Sequence, residues 1–315
     1  MVATIWLCPG QGAQKVGMGK DLAQRFPAAR DTFQAIDEAL GVALSRLMFE
    51  GPEDELTATH NAQPAILAHS AAVFAALGAA ATNGAIGAAG HSLGEYSAYV
   101  TARALEAPEA AKLVRRRGEL MNKAGEDRPG MMAAILGLAT ADVEAACREA
   151  SRQGSVAVAA NLNAPDQTVI SGDPDAVARA GEACKTRGAK RVVALKVSGA
   201  FHSPLMAPAA NHLQIALERA PFQEPAFPVI ANATAEAVKD TGRARRLLAD
   251  QLTAPVRWVE CMQHAARLAP EGTELRFVEI GPGTVLAGLL KRIVPGANVV
   301  SLGTANEVAK FMEAA

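Results

Sequence analysis

Gly90-His91-Ser92-Leu93-Gly94 holds the residue types with the clearest chemical potential in this chain. The pentapeptide follows a short apolar stretch, 85–89, and opens a helical stretch, 95–100. G-x-S-x-G between a strand and a helix is a nucleophile elbow. A tight turn forces an unusual backbone conformation on the serine, and the flanking glycines let strand and helix pass closely. The hydroxyl then stands at the end of a sheet beside free backbone N–H groups at a helix N-terminus, where a nascent oxyanion can be held.

A serine hydroxyl is a weak nucleophile near neutral pH and needs a base. The chain has six histidines. His91 adjoins Ser92, but neighbours on a sharp elbow point apart, so it reads as packing support for the turn. His69 lies in an apolar helical stretch and reads as a satisfied core histidine. His60, His212 and His264 lie on polar or helical stretches and read as surface residues. His202 sits in Ser198-Gly199-Ala200-Phe201-His202-Ser203-Pro204, a loop of mostly small residues between a strand and a helix. Such loops place functional side chains, which makes His202 the candidate base.

Two further features could handle negative charge. Gly10-Gln11-Gly12 follows the first apolar run and could offer backbone N–H groups to an anion, or could be a structural turn. It is not a P-loop, because Met18 follows Gly17, and it is not G-x-G-x-x-G, because Lys15 takes the third glycine position. Arg115-Arg116-Arg117 lies late in a helical stretch. Three successive helical residues fan over about 200°, so at least one points inward or along the side of the helix. A buried arginine needs an anionic partner, and a substrate carboxylate gripped by both guanidinium nitrogens would be one.

The elements that must position these residues alternate between apolar runs and helical patterns, the rhythm of an α/β fold. Strands are predicted at 4–8, 85–89 and 275–280. Helices are predicted at 63–80 (with Pro64 in its first turn), 108–123, 204–217 and 284–293, and further elements of the large domain at 228–232, 243–252 and 257–268. Between them, strands at 131–138, 156–161, 168–171 and 191–197 and helices at 141–152 and 174–187 follow β-α-β-β-α-β order, the signature of a ferredoxin-like unit. This reads as an insertion in a larger α/β domain.

Bulk properties narrow the setting. With 315 residues, 50% hydrophobic and 20% charged, the chain can bury a large core like an ordinary globular protein. A net charge of -1 gives no global attraction to nucleic acid or membranes. Cys8, Cys147, Cys184 and Cys261 are scattered without C-x-x-C and read as reduced residues of a cytoplasmic protein, with no metal site. The first eight residues lack the basic start and apolar length of a signal peptide. The alanine-rich stretch 62–89 is broken by Gln63, Pro64, His69, Thr82 and Asn83, so it reads as a buried helix and a strand.

Taken together in order, several motifs make the chain resemble the malonyl-CoA:acyl-carrier-protein transacylase family. They are Pro9-Gly10-Gln11-Gly12-Ala13-Gln14, Gln63-Pro64-Ala65, Gly90 to Glu95, Arg117-Gly118 with Met121, Asn161-Leu162-Asn163-Ala164-Pro165, Gly199 to Pro204, Gln251-Leu252 with Pro255-Val256-Arg257-Trp258, and Glu279-Ile280-Gly281-Pro282-Gly283. The resemblance spans essentially the whole chain. It implies an α/β-hydrolase-like large domain (1–127 and 199–315) with an inserted ferredoxin-like subdomain (128–198). It implies Ser92 as the malonyl-carrying nucleophile and His202 as general base and acid, oriented by a backbone carbonyl near Gln251 rather than by an acidic residue. Backbone N–H groups of Gln11 and Leu93 are the implied oxyanion hole. Arg117 is the implied clamp for the malonyl carboxylate, Phe201 the implied filter against branched acyl groups, and Met121 and Asn161 further substrate-binding residues. Ala13 and Cys8 depart from the family's usual serine and phenylalanine without removing a catalytic atom. Cys8 is read as a packing residue or a thiol near the site.

The implied reaction carries malonate from malonyl-CoA to holo acyl carrier protein through a serine ester, in fatty acid biosynthesis, without a cofactor, by a monomer. Acyl carrier proteins are acidic, so a basic docking surface is expected, with Lys185, Arg187, Lys190, Arg191, Lys291 and Arg292 as candidates beside the reading of ordinary solvated charge. The alternatives are a free-standing malonyl acyltransferase of a polyketide synthase, a serine esterase or thioesterase, and a catalytically silent scaffold.

Overall fold

The structure, a computed structural model, describes residues 2–314. Strand β1 (Ala3–Cys8) is buried along its whole length and lies inside a six-stranded sheet. On one side it pairs in parallel with β2 (Ala85–Gly90). On the other it pairs in parallel with β9 (Leu275–Ile280), which pairs in turn with β10 (Asn298–Leu302). β7 (Val229–Ile230) extends the sheet beyond β2 in parallel, and β8 (Ala237–Val238) closes the edge antiparallel to β7. Hydrophobic residues clustered around both faces of this sheet form the main core.

This order decides where chemistry can happen. Cys8 pairs with Gly90, so the loops after β1 and β2 leave the sheet side by side. The carboxyl ends of adjacent parallel strands form the crevice in which α/β sheets bind ligands. The composition of β2, Ala-Ile-Gly-Ala-Ala-Gly, supplies the close approach this requires. A Cβ on Gly90 would sit 1.9 Å from the carbonyl of Gly94, and one on Gly94 would sit 2.1 Å from the Cys8 carbonyl oxygen. Neither position can carry a side chain while the helix Gly94–Thr101 starts where it does.

A second sheet holds β3 (Met131–Leu136), β4 (Ala157–Ala164), β5 (Gln167–Gly172) and β6 (Arg191–Ala194) in the order β4-β5-β3-β6, all antiparallel. The helices Thr140–Ala150 and Pro174–Thr186 pack on it around their own core, which includes Ile135, Val143, Ile170 and Val177. This is the ferredoxin-like arrangement. The unit is stitched to the larger sheet through β4: Leu162 N donates to Val256 O at 2.9 Å, and Val256 N donates to Ala160 O at 2.8 Å. The fold as a whole is α/β, hydrolase-like in its large part.

The elements differ from the sequence reading at several places. The helix read from Gln63 begins at Thr59, which puts Pro64 inside it rather than in its first turn. Proline lacks the N–H that would bond the carbonyl four residues back. That carbonyl, His60 O, instead accepts from Arg115 Nη1 at 3.3 Å, which offsets the loss. The segment Thr59–Ala81 is long and apolar enough to cross a membrane, but most of it is buried inside this protein as a core helix. Helices at Lys20–Arg25, Pro27–Leu40, Leu44–Glu50, Glu53–Thr57 and Ala305–Ala314, and the strands β8 and β10, add to the elements read from sequence. The element read over 228–232 is a strand of only two residues, and that read over 243–252 is a helix from Thr241 to Asp250.

Candidate active site

Ser92 caps the elbow with φ of 52°, a left-handed conformation that a non-glycine residue adopts only when its surroundings hold it there. Its own N–H donates to Asn232 Oδ1 at 2.7 Å, and Asn232 Nδ2 donates to Gly90 O at 2.8 Å. One buried amide thus braces both ends of the turn. The Ser92 hydroxyl donates to His202 Nε2 at 2.8 Å.

His202 is also left-handed, with φ of 56°, and is buried. Its Nδ1–H donates to the backbone carbonyl of Gln251 at 2.8 Å. A carbonyl can only accept, so the proton resides on Nδ1 and the lone pair of Nε2 faces Ser92. Gln251 is the C-cap of the helix Thr241–Asp250, and carbonyls at a helix end have no partner within the helix. The helix end thereby does the orienting that an acidic residue does in other serine enzymes.

Burial, reinforced by the nearby Arg117 cation, pushes the His202 pKa down from 6.5 to about 3. A depressed histidine pKa means that the unfolded chain binds the proton more tightly than the folded one. The stability this contributes is fully present above pH 6.5 and is lost as pH falls toward 3. We therefore expect His202 to remain neutral across pH 5–8, followed by the ring ¹⁵N shifts of labelled protein. A midpoint near 6.5 would contradict the buried, base-competent imidazole.

Arg117 is the inward member of the arginine run. Arg116 is exposed and Arg115 half-buried, whereas Arg117 is 1% exposed. Its Nη1 donates to Gln63 Oε1 at 2.7 Å, and its Nη2 donates to Gln251 Oε1 at 2.9 Å and to Ser92 Oγ at 3.0 Å. The Tyr96 ring lies 5.9 Å from the guanidinium carbon. Among the described residues the guanidinium hydrogen-bonds only neutral oxygens, so it holds an unneutralised charge beside the Ser92 hydroxyl.

Gln11 and Leu93 stand on the two loops that leave β1 and β2, and their backbone N–H groups have no internal partner among the described residues. A cavity of about 300 Å³ opens in front of Ser92, lined by Gln11, Met121, Asn161, Phe201 and His202 among others. Arg117 reaches this cavity through its contact with Ser92 Oγ, which lines it.

His91 supports the turn: its Nε2 pairs with Asn163 Oδ1 at 2.8 Å and its ring meets Trp258 edge-on. His69 is a buried core histidine, as read from the sequence; its ring has a backbone hydrogen bond with Gly303, while Nδ1 has no partner among the described residues. His264 is half-buried rather than a surface residue and pairs through Nδ1 with Ala235 O at 2.8 Å. Cys8 is fully buried, and burial pushes its thiol far up, which fits packing rather than reactivity. Among the basic candidates, Lys185 pairs with Glu182, Arg187 with Glu149 and Arg292 with Asp166, which leaves Lys190, Arg191 and Lys291 without an ion pair among the described residues.

Sequence reasoning assigned no role to Asn232, Gln63 or Lys196, the last of which lines the cavity beside Leu195 and Val197. Gln63 lay inside a quoted motif. Asn232 and Lys196 carried no local signal.

The acyl transferase domain family matches residues 5–311 of this chain. The chain is 44% identical over 288 residues to the malonyl CoA-acyl carrier protein transacylase of Bacillus subtilis (strain 168), covering 91% of this chain and 89% of the relative. It is 39% identical over 313 residues to the protein of the same name from Escherichia coli (strain K12), covering 99% and 100%. Among solved structures it resembles the malonyl CoA-acyl carrier protein transacylase of Coxiella burnetii, with a TM-score of 0.92, 38% identity and coverage of 99% and 97%. It also resembles a malonyl-transacylase in complex with its type II PKS acyl-carrier protein, with a TM-score of 0.93, 39% identity and coverage of 99% and 100%.

Proposed function

The chain belongs to the acyl transferase domain family, and from that premise we propose that it carries malonate from malonyl-CoA to the phosphopantetheine thiol of acyl carrier protein for fatty acid biosynthesis. The observation that carries this reading is the convergence on one hydroxyl. Ser92 Oγ meets a neutral base, His202 Nε2, at 2.8 Å and a buried cation, Arg117 Nη2, at 3.0 Å. A base alone serves any acyl group. A buried guanidinium beside it suits an acyl group that ends in a carboxylate.

The reaction runs in two matched halves. Ser92 Oγ attacks the malonyl thioester carbonyl while its proton passes to His202 Nε2. The oxyanion forms where the Gln11 and Leu93 N–H groups point, and each such donor is worth about 3–4 kcal/mol in the transition state. Collapse breaks the C–S bond, and His202 returns the proton to the CoA thiolate. The carrier thiol then attacks the malonyl ester, its proton goes to His202, and Ser92 leaves with that proton. Thioester and oxygen ester exchange with little net free energy, so the chemistry asks for no redox group or metal. Phe201, Met121 and Asn161 line the acyl cavity. Phe201 would crowd an α-branched acyl group.

Residues 128–198 act in this reading as an inserted unit that supplies one wall of the cavity through Asn161 and Met132. All four cysteines are free and buried, which supports a reducing, cytoplasmic setting. Lys190, Arg191 and Lys291, without an ion pair among the described residues, are the basic candidates for meeting an acidic carrier.

The test is discharge. Protein preloaded with malonyl-CoA and freed of excess should pass its malonyl mass to holo acyl carrier protein on mixing, with little free malonate formed. Malonate release without acceptor would make the protein a hydrolase. The likeness to a transacylase bound to a type II PKS acyl-carrier protein favours a second reading, in which a polyketide carrier is the acceptor. Faster discharge to that carrier than to a fatty acid carrier in the same assay would select it.

A further inference from the structure

We propose that Glu95 is a positioning residue that governs selection of the acyl group by fixing the amides that hold Arg117 and Ser92. Glu95 is fully buried beneath the elbow on the helix Gly94–Thr101. One of its oxygens, Oε2, accepts from Gln251 Nε2 at 2.7 Å and from Asn232 N at 3.0 Å. Both partners are themselves fully buried and both reach the reacting serine.

Gln251 joins the two halves of the site. Its Nε2 donates to two oxygens, Glu95 Oε2 and the Ser92 carbonyl at 3.0 Å. Its Oε1 therefore faces the other way, where it accepts from Arg117 Nη2. The carboxylate sets the direction of this amide, and the amide sets the guanidinium. Through its backbone carbonyl the same residue holds His202 Nδ1. Asn232, held by the second Glu95 contact, braces Ser92 N and Gly90 O. Glu95 itself touches neither the Ser92 hydroxyl nor the His202 ring, so its effect passes through these amides.

Only Oε2 is engaged, since Oε1 has no partner among the described residues. An amide at position 95 can present its own oxygen to Asn232 N and Gln251 Nε2, so Glu95→Gln keeps both contacts. Glu95→Ala loses both and leaves two buried N–H groups without an acceptor. Glu95→Asp draws the carboxylate back by one methylene, out of reach of both.

The inference rests on the malonyl-transfer reading, and the experiment separates the two. Acyl-enzyme formation from malonyl-CoA and from acetyl-CoA is followed by intact mass in wild type and the three variants, alongside thermal melting. Wild type that loads no malonyl group sinks the transfer reading itself. With wild type active, we expect Glu95→Ala and Glu95→Asp to lower the malonyl-to-acetyl ratio by roughly tenfold or more, as loss of a buried charge-assisted contact implies. Glu95→Gln should restore the ratio to within about threefold of wild type, as retained contacts imply. A melting shift in Glu95→Ala or Glu95→Asp without a change in ratio would reduce Glu95 to a structural residue and overturn the proposal. Loss of ratio in Glu95→Gln as well would assign the effect to charge and overturn the hydrogen-bond account. Where Glu95→Ala fails to fold, the Asp and Gln pair decides by the same criteria.

Discussion

We expect Ser92→Ala to abolish the malonyl adduct that wild type should show by intact mass on mixing with malonyl-CoA, and to lower transfer to holo carrier by about three orders of magnitude or more, as removal of a nucleophile does elsewhere. The elbow holds Ser92 at φ of 52° because Gly90 and Gly94 let strand and helix touch and because Asn232 ties down the Ser92 N–H. Alanine tolerates that conformation no worse than serine, so the variant should fold with nearly unchanged melting. What is lost is the oxygen that meets both His202 and Arg117. The remaining oxyanion donors and Arg117 can still bind malonyl-CoA, so substrate binding measured by calorimetry should persist. An adduct that survives in Ser92→Ala would move the nucleophile elsewhere. Cys8 is a poor substitute, because burial holds its thiol protonated.

The elbow was legible because everything that defines it lies within a few residues. Strand, glycines, serine and helix are one local signal, and the β-α-β-β-α-β rhythm of 131–194 is another. The inward arginine was legible in kind from helical geometry alone, since three successive positions cannot all face solvent. The braces behind these groups were not. Asn232 lies 140 residues from Ser92, and Gln251 lies 134 residues from Arg117. The resemblance pointed to the Gln251 backbone as the holder of His202, but nothing local announced its side-chain contact with Arg117, and Asn232 carried no signal until the sheet order β1-β2-β7 set the end of β7 beside the elbow. Ion pairing at the surface was hidden for the same reason. Arg187 and Arg292 look free in sequence, yet their acids arrive from other elements at Glu149 and Asp166. The helices of 20–57 are a different case: Ala29, Phe33 and Ile36 in Pro27–Leu40 show buried helical spacing, a local signal that was there to read.

Arg117→Ala carries the second large effect, and it falls on choice of substrate rather than on acyl chemistry. In the resting site the guanidinium is fully buried and, among the described residues, hydrogen-bonds only Gln63, Gln251 and Ser92, all through neutral oxygens. Its nearest carboxylate, Glu95, is separated from it by the Gln251 amide, and burial pushes Glu95 up to about 7, so the local anion is itself only partly ionised at neutral pH. A malonyl carboxylate brings the missing charge, whereas an acetyl group leaves the cation uncompensated and blocks its rehydration. Truncating one partner of a buried, hydrogen-bonded ion pair costs about 2–5 kcal/mol, which is roughly 30-fold to several thousand-fold in binding. We expect kcat/KM for malonyl-CoA to fall by that factor in Arg117→Ala, while loading from acetyl-CoA holds or rises because the desolvated cation is gone. The Ser92–His202 contact does not pass through Arg117, so the variant should retain acyl-enzyme formation with uncharged acyl groups. Arg117→Lys should recover only part of the preference, since an ammonium cannot reach Gln63, Gln251 and a carboxylate with one planar fork. The measurement is competitive: equimolar malonyl-CoA and acetyl-CoA, with the two adduct masses read in one spectrum. An unchanged adduct ratio in Arg117→Ala would take the clamp away from this residue and leave Arg117 as a support for Ser92.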